Sequence, residues 1–253
     1  MVVPPPGLRK TVIVSEQRSE SGYENRLLAA LPPDEAARLA PYLVEREFRA
    51  AEVVAQAGEP IEVILFPYDL VTSTVTPLPS GEVVEVGLMG AEGITGLDVL
   101  YGQNIAHTTV IVQIPGRGAV TPAADFVREI VAPAGRGHAM LLRYANTFMA
   151  MVAQVAACNA VHPADQRLAR WLCMAHDRVR RERFSLTHEY VSMMLGVRRA
   201  TITTSAAMLR SAGAIDYHRG NVTVLDRHAL ERAACSCYPV LRKLGDEAYG
   251  LAS

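Results

Sequence analysis

A chain of 253 residues that is 50% hydrophobic and 20% charged holds enough apolar material for one or two real cores, which excludes a stapled mini-protein and a wholly disordered chain. The net charge of −1 conceals a gradient: residues 1–161 carry 11 basic against 17 acidic side chains, residues 162–232 carry 12 against 7, and the last 21 carry 2 against 2. Lysine occurs only at Lys10 and Lys243, so no stretch can form the GxxxxGK[ST] phosphate loop, and the acidic front joined to a basic back points instead to a polyanion-binding module attached to something else.

The cysteines, Cys158, Cys173, Cys235 and Cys237, are too few and too clustered for a disulfide framework and include no CxxC pair, which fits a reducing cytoplasm. Three prolines in MVVPPPGLRKTVIV interrupt the apolar run that a signal peptide needs. Residues 1–20, Pro-rich and then polar, are expected to form a mobile tail. From Asn25 to Val44, Leu27, Leu28, Leu31, Leu39 and Leu43 recur at helical spacing, broken by Pro32-Pro33, with Asp34 placed to cap a second short helix.

Between Phe48 and Phe126 the texture becomes short β-branched runs: EVVAQ, VILF, LVTSTVT, EVVEVGL and TTVIVQI. LVTSTVT and EVVEVGL flank a turn-rich Leu78-Pro79-Ser80-Gly81, consistent with a hairpin, and strands at this spacing predict a sandwich or small jelly-roll-like barrel. From about Gly137 the period turns helical. Leu141, Ala145, Phe148, Val152, Val155 and Asn159 form a seam spaced 4, 3, 4, 3, 4, suited to pairing with a second copy, beside a stripe of Tyr144, Phe148, Met151, Val155 and Cys158. Residues 144–164 lack charge over a bilayer-spanning length, yet Asn146, Gln154 and Asn159 interrupt them, so a doubly buried helix is expected and no membrane partner. His162-Pro163 ends this helix and Asp165 opens another, with Leu168, Leu172 and Ala175 inward and Arg167, Arg170 and Arg178 expected on the surface.

The stretch most informative about function is FSLTHEYVSMMLGVRRATITTSAAMLRSAGAIDYHRGNVTVLD, residues 184–226. It parses as helix, tight turn, helix, hairpin: Thr187 is an N-cap, Val191, Met194 and Leu195 an apolar face, and Gly196 the left-handed turn. In the second helix Ile202, Ala206 and Leu209 point inward, leaving Ala200, Thr203, Thr204, Ala207 and Ser211 as a small, hydroxylic outer face with Arg198 and Arg199 at its start. Such a helix can enter the major groove without clashing, and its Arg forks can bind guanine in a bidentate way. AIDY, HRGN and VTVL form a wing that would reach the DNA backbone through His218 and Arg219.

This layout resembles the CRP/FNR family of bacterial transcription regulators across about residues 24–232, most specifically in THEYVSMMLGVRRATITTSAAMLRSAGAI. The resemblance implies an α+β chain with a cyclic-nucleotide-binding-like β-roll at 21–136, a dimerisation helix at 137–161 and a winged helix-turn-helix at 162–253. It implies double-stranded DNA, a second copy of the chain and RNA polymerase as partners, and DNA contacts by Thr187, Arg198, Arg199, Thr201, Thr203, Thr204, His218 and Arg219. The recognition helix of cAMP-responsive members begins Ser-Arg-Glu-Thr-Val-x-Arg; here only Arg199 and Thr201 carry over, while Ala200 and Thr204 replace the acid and the second arginine.

The family's phosphate cassette, Gly-Glu-Leu-Ala followed by Arg-Ser/Thr-Ala, aligns with EGITGLDVLYGQNIAHTTVIVQI, placing Gly96 at the Gly, Leu97 at the Glu and Ala106 or His107 at the Arg. With both charged anchors missing, cyclic-nucleotide binding is not expected. The glycines at 87, 90, 93 and 96 are expected to serve turns of the roll. No cysteine precedes Cys158, which closes an N-terminal iron–sulfur cluster, and no cofactor is expected. Cys235 and Cys237, with His228 as a conceivable third member, are expected to be inert thiols, and His107 and His138 structural histidines. An enzyme is not expected: His188-Glu189 opens an HExxH-like string whose second His is Ser192, and GxSxG and GxGxxG are absent. The alternative to DNA binding is a ligand- or redox-sensing protein whose helix-turn-helix contacts another protein.

Overall fold

The computed structural model describes residues 24–79, 83–179, 181–218 and 220–247; the expected tail over 1–20, the tip of the 71–89 hairpin and Arg219 lie outside them. Two short helices, α1 (Arg26–Ala29) and α2 (Pro33–Leu39), lead into strands β1 (Val44–Phe48), β2 (Val53–Ala55), β3 (Val63–Pro67), β4 (Val71–Pro77), β5 (Val83–Met89), β6 (Thr109–Ile114) and β7 (Gly116–Pro122). Next come α3 (Ala123–Phe126), α4 (Arg136–Val161), α5 (Ala164–Val179), β8 (Arg183–Ser185), α6 (His188–Leu195), α7 (Arg199–Ser211), β9 (Ile215–His218), β10 (Asn221–Val224), α8 (Arg227–Ala233) and α9 (Cys237–Glu247). This is the expected α+β architecture: an N-terminal β domain, a long helix and a C-terminal helix-turn-helix.

The chain divides into two compact units, one of the residues up to Thr74 together with Met89–Thr147, the other of Val75–Leu88 together with Phe148 onward. The roll pairs its strands in the orders β1-β7-β3 and β2-β6-β4-β5, with antiparallel registers such as Val44 opposite Val120 and Ile64 opposite Thr121. Phe48, Leu65, Leu70 and Val112 fill its core. All five predicted strand runs are strands, and β4 and β5 are neighbours as the hairpin required. Two strands escaped prediction. β1 reads VEREF and β7 reads GRGAVTP, so neither has an uninterrupted β-branched signal; their pairing with each other supplies what local propensity does not. Val44, expected to end a helix, therefore opens a strand. Asp34 lies inside α2, whose N-cap is Pro32 and makes no side-chain cap hydrogen bond; the side-chain cap belongs to α1, where Asn25 accepts from Leu28 N at 3.0 Å.

The start of α4 is held by a buried carboxylate. Both oxygens of Glu35, 4% exposed, accept from the Gly137 N–H at 3.0 Å, placing an anion at the positive end of the helix. Gly87, inside β5, does not make a turn as expected but permits close approach, since a Cβ there would lie 2.6 Å from the Phe148 ring. Gly90 and Gly93 do close a turn, the Gly93 N–H donating to the Gly90 carbonyl at 3.0 Å, and a Cβ at Gly93 would also meet the Tyr144 hydroxyl. Gly96 does adopt a positive φ, at +70°.

In the C-terminal unit α5 is ringed by α6, α7, α8 and α9. Trp171 is wholly buried and donates to Glu85 Oε1 of β5 at 2.8 Å. Because α5 is covered on several sides, Arg167 and Arg170 are not surface residues as expected: they are 9% and 2% exposed, and Arg178 is half-buried with its guanidinium on the Met174 carbonyl at 2.9 Å. Among the described residues no helix is long and apolar enough to cross a membrane.

Candidate nucleic-acid interface

The helix-turn-helix is built from α6, a three-residue turn and α7. Thr187 caps α6 by accepting from Tyr190 N at 3.3 Å, as its position predicted, and Gly196 takes φ 60° and ψ 40°, a conformation costly for any residue with a Cβ. Ile202, Ser205, Ala206 and Leu209 are buried on α7, and Ala200, Thr203, Thr204, Ala207 and Ser211 lie exposed opposite them. Arg198 stands at the N-cap and Arg199 at the first helical position, both exposed, while Thr201 is half-buried. The three-stranded sheet β8-β10-β9 forms the wing, with His218 exposed at its end; β8, only three residues long, was not foreseen.

The two threonine hydroxyls are already committed. Thr203 Oγ1 donates to the Arg199 carbonyl at 3.1 Å and Thr204 Oγ1 to the Ala200 carbonyl at 3.2 Å. What each still offers a base edge is oxygen lone pairs and a methyl, which suits a cytosine or adenine amino group and a thymine methyl. Arg198 and Arg199 supply the cationic forks.

A residue passed over in the sequence organises this surface. His188, seen there only as a failed metal ligand, stacks on Tyr217 with ring centroids 4.3 Å apart, and its Nδ1 lies 3.2 Å from Thr203 Oγ1. It thus joins α6, α7 and β9. Burial first, then the charge of Arg199, holds its pKa below the ordinary histidine value, which favours the neutral ring. Burial pushes the Tyr217 phenol up to about 12, and its hydroxyl donates to the Leu186 carbonyl at 2.5 Å.

Residues 166–233 match the Crp-like helix-turn-helix family model. Among solved structures the chain is similar to FixK2 from Bradyrhizobium japonicum (TM-score 0.63, 13% identity, 77% of this chain and 98% of that one). It is similar also to a CRP-family transcriptional regulator from Thermus thermophilus (0.61, 20%, 75% and 96%) and to the c-di-GMP-responsive global regulator CLP of Xanthomonas campestris (0.58, 13%, 76% and 98%). No curated protein matches the chain in sequence. The chain carries a Crp-like helix-turn-helix domain, and its fold is similar to that of CRP/FNR-family regulators. The family match covers the helix-turn-helix and the structural likeness covers the β-roll and the long helix, so the architecture read from the sequence holds at both ends.

The other predicted sites are placed as follows. Gly96 precedes a 3₁₀ turn over Leu97–Tyr101, and Leu97 is half-buried. Ala106 is 3% exposed and tied through its backbone to Gly58 and Glu59. His107, the one cationic candidate of the cassette, is exposed, with Nδ1 2.6 Å from Asp98 Oδ1. His138 is structural, its Nε2 3.1 Å from the Leu100 carbonyl. On α4, Leu141, Ala145, Phe148 and Val155 are 0–7% exposed within a single chain, and Val152 is half-buried. These four pack on their own molecule, which leaves them no surface for the seam expected of them.

His228 does not join the cysteines; its side chain is 86% exposed, beside Glu231. The thiols that do gather are Cys158, Cys235 and Cys237, with His162. Burial pushes the Cys158 thiol up to about 12, against the opposing charge of Arg170.

Proposed function

We propose that the protein is a sequence-specific DNA-binding regulator that acts as a homodimer on a two-fold operator, with 21–136 as its sensor, 137–161 as its pairing helix and 162–253 as its DNA-binding domain. The observation that carries this reading is the outer face of α7: small and hydroxylic, preceded by two exposed arginines and held by the Gly196 turn inside a Crp-like domain. Arg199 and Arg198 read or clamp the DNA at the helix start; Thr201, Thr203 and Thr204 meet base edges and phosphates; Thr187, His218 and Arg219 hold the flanking backbone. Its place of action is the cytoplasm, and RNA polymerase is its second protein partner.

Pairing uses α4, displaced from the seam read in the sequence to the stripe that the fold leaves open. Met149 and Val161 are 64% and 76% exposed, and Ala153, Ala156, Ala157 and Ala160 lie exposed between them. Met149, Ala153, Ala156 and Ala160 are spaced 4, 3, 4, a knobs-into-holes repeat whose alanines allow close helix approach.

The effector is not a cyclic nucleotide held by the family's cassette. The residues present do not fit a cyclic phosphate: Leu97 and Ala106 cannot supply a charge, and His107 already faces the carboxylate of Asp98. The test is selection of bound sequences from random duplex DNA by the ligand-free chain at two salt concentrations. An enriched palindrome with half-sites about one helical turn apart, bound more weakly as salt rises, is the expected result. Binding insensitive to salt, or none, would replace DNA by a protein partner.

A further inference from the structure

We infer that Cys158, His162, Cys235 and Cys237 form a binding site for one zinc-class divalent metal ion. Their four donor atoms lie within 4.8 Å of one another. Cys158 Sγ is 3.4 Å from Cys235 Sγ, and His162 Nδ1 is 3.6 Å from Cys237 Sγ. With zinc–sulfur bonds of about 2.3 Å and zinc–nitrogen bonds of about 2.0–2.1 Å, the edges of a tetrahedron are roughly 3.8 Å between sulfurs and roughly 3.5 Å from sulfur to nitrogen. The first pair needs to open by a few tenths of an ångström and the second hardly at all. Three sulfurs and one imidazole make a soft, closed set, the composition of a structural zinc site rather than a catalytic one.

The surroundings fit an ion better than they fit free thiols. Three thiolates around a dication carry a net charge of −1 once three thiol protons have left to solvent. Arg167 and Arg170 face this cluster: Arg167 interacts electrostatically with Cys158 and Cys235, and Arg170 with Cys158. Both guanidiniums are buried, neither forms an ion pair with a carboxylate among the described residues, and the Nε of each has no hydrogen-bond partner. Two buried cations beside neutral thiols are uncompensated; beside a thiolate–metal site of net charge −1 that charge is offset in part. Gln154 Nε2 donates to Cys237 Sγ at 3.1 Å, the supporting bond that a metal-bound thiolate accepts. The ligands come in two pairs: Cys158 and His162 are one helical turn apart at the end of α4, while Cys235 lies in the link between α8 and α9 and Cys237 is the first residue of α9.

The ion would therefore staple the end of α4 to the start of α9. It would also act on the turn of the DNA-binding unit, because Arg167 donates to the carbonyl of Leu195, the last residue of α6 before Gly196, at 3.2 Å. Loss or oxidation of the site would release that arginine from its counter-charge.

The full chain, purified without affinity tag or chelator under reducing conditions, is to be assayed for bound metal by mass spectrometry and then titrated as apoprotein with cobalt(II). The expected result is about one zinc per chain, and a cobalt complex with tetrahedral ligand-field bands and a thiolate charge-transfer band. Both persist in Cys173→Ser, whose thiol lies outside the cluster, and Gln154→Ala lowers affinity by about 10–100-fold. No retained metal together with a six-coordinate cobalt spectrum overturns the proposal, as does isolation of a Cys158–Cys235 disulfide from anaerobically prepared protein. The cobalt spectrum of the unaltered chain decides even where a ligand variant does not fold.

Discussion

Two helices in this chain, α4 and α7, are each half-used by their own fold, and the chemistry of the unused half differs. α7 buries Ile202, Ala206 and Leu209 and exposes threonines, a serine and two arginines; α4 buries Leu141, Tyr144, Phe148, Met151 and Val155 and exposes Met149, a row of alanines and Val161. Both outer faces are made of small side chains, so both admit close approach. One offers hydroxyls and cations, which match a phosphate-lined groove; the other offers only methyl and thioether surface, which matches another helix like itself. Small size sets how near a partner comes, and polarity sets which partner it is.

The largest expected effect comes from making the α4 face resemble a charged one. Ala153→Glu combined with Ala156→Glu places four carboxylates across the proposed pairing seam, and both positions are solvent-facing in the single chain, so its own fold is undisturbed. Sedimentation should show monomer. Affinity for a two-half-site operator should fall by about 10²–10⁴-fold, the loss that follows when the second contact is no longer intramolecular. A variant that still sediments as a dimer would place the seam elsewhere.

Converting part of the α7 face to the character of α4 should cost less. Arg199→Ala removes one bidentate donor and should weaken the preferred sequence by about 1–3 kcal/mol while leaving binding to unrelated DNA much less affected. Equal losses on both DNAs in a competition titration would make Arg199 a phosphate contact. Gly196→Ala is smaller again and acts on stability. A Cβ there meets only Val84 at ordinary contact distance, so the penalty is the left-handed backbone alone, about 1–2 kcal/mol, read as a lowered thermal midpoint with native secondary structure.

The two faces were unequally legible in the sequence. Helix-turn-helix geometry is local: Thr187, Gly196 and the spacing of Ile202, Ala206 and Leu209 define caps, turn and inner face within about 25 residues, so the outer face follows by subtraction. The α4 seam is not local. Leu141 and Phe148 recur at the right interval, but whether a stripe meets the roll, the C-terminal unit or a second chain depends on partners distant in sequence, such as Gly87 under Phe148 and Gly93 under Tyr144. The same distance hid β1 and β7, which need each other, and the thiol cluster, which joins residues 77 positions apart. Arg167 and Arg170 looked like surface because charge on a helix ordinarily means solvent; only the ring of helices around α5 reverses that.

His188 supplies the finest distinction, since the α7 face rests on a titratable strut. Its folded pKa lies below its ordinary value, so between the two the unfolded chain binds the proton more readily. The stabilisation from keeping the ring neutral is complete above about pH 6.5 and is lost as pH falls through that value toward the folded pKa. His176, depressed in the same direction by burial and by Arg227, adds to the effect. The urea midpoint should therefore drop on going from about pH 7.5 to about pH 5.5, above the range where carboxylates titrate. His188→Gln should flatten part of that drop and His176→Gln another part. Because His188 also holds Thr203 and Tyr217 in place, only the first of these should reduce DNA affinity at neutral pH. If both variants bind DNA as the unaltered chain does, the ring fills space beside the recognition helix and does not position it.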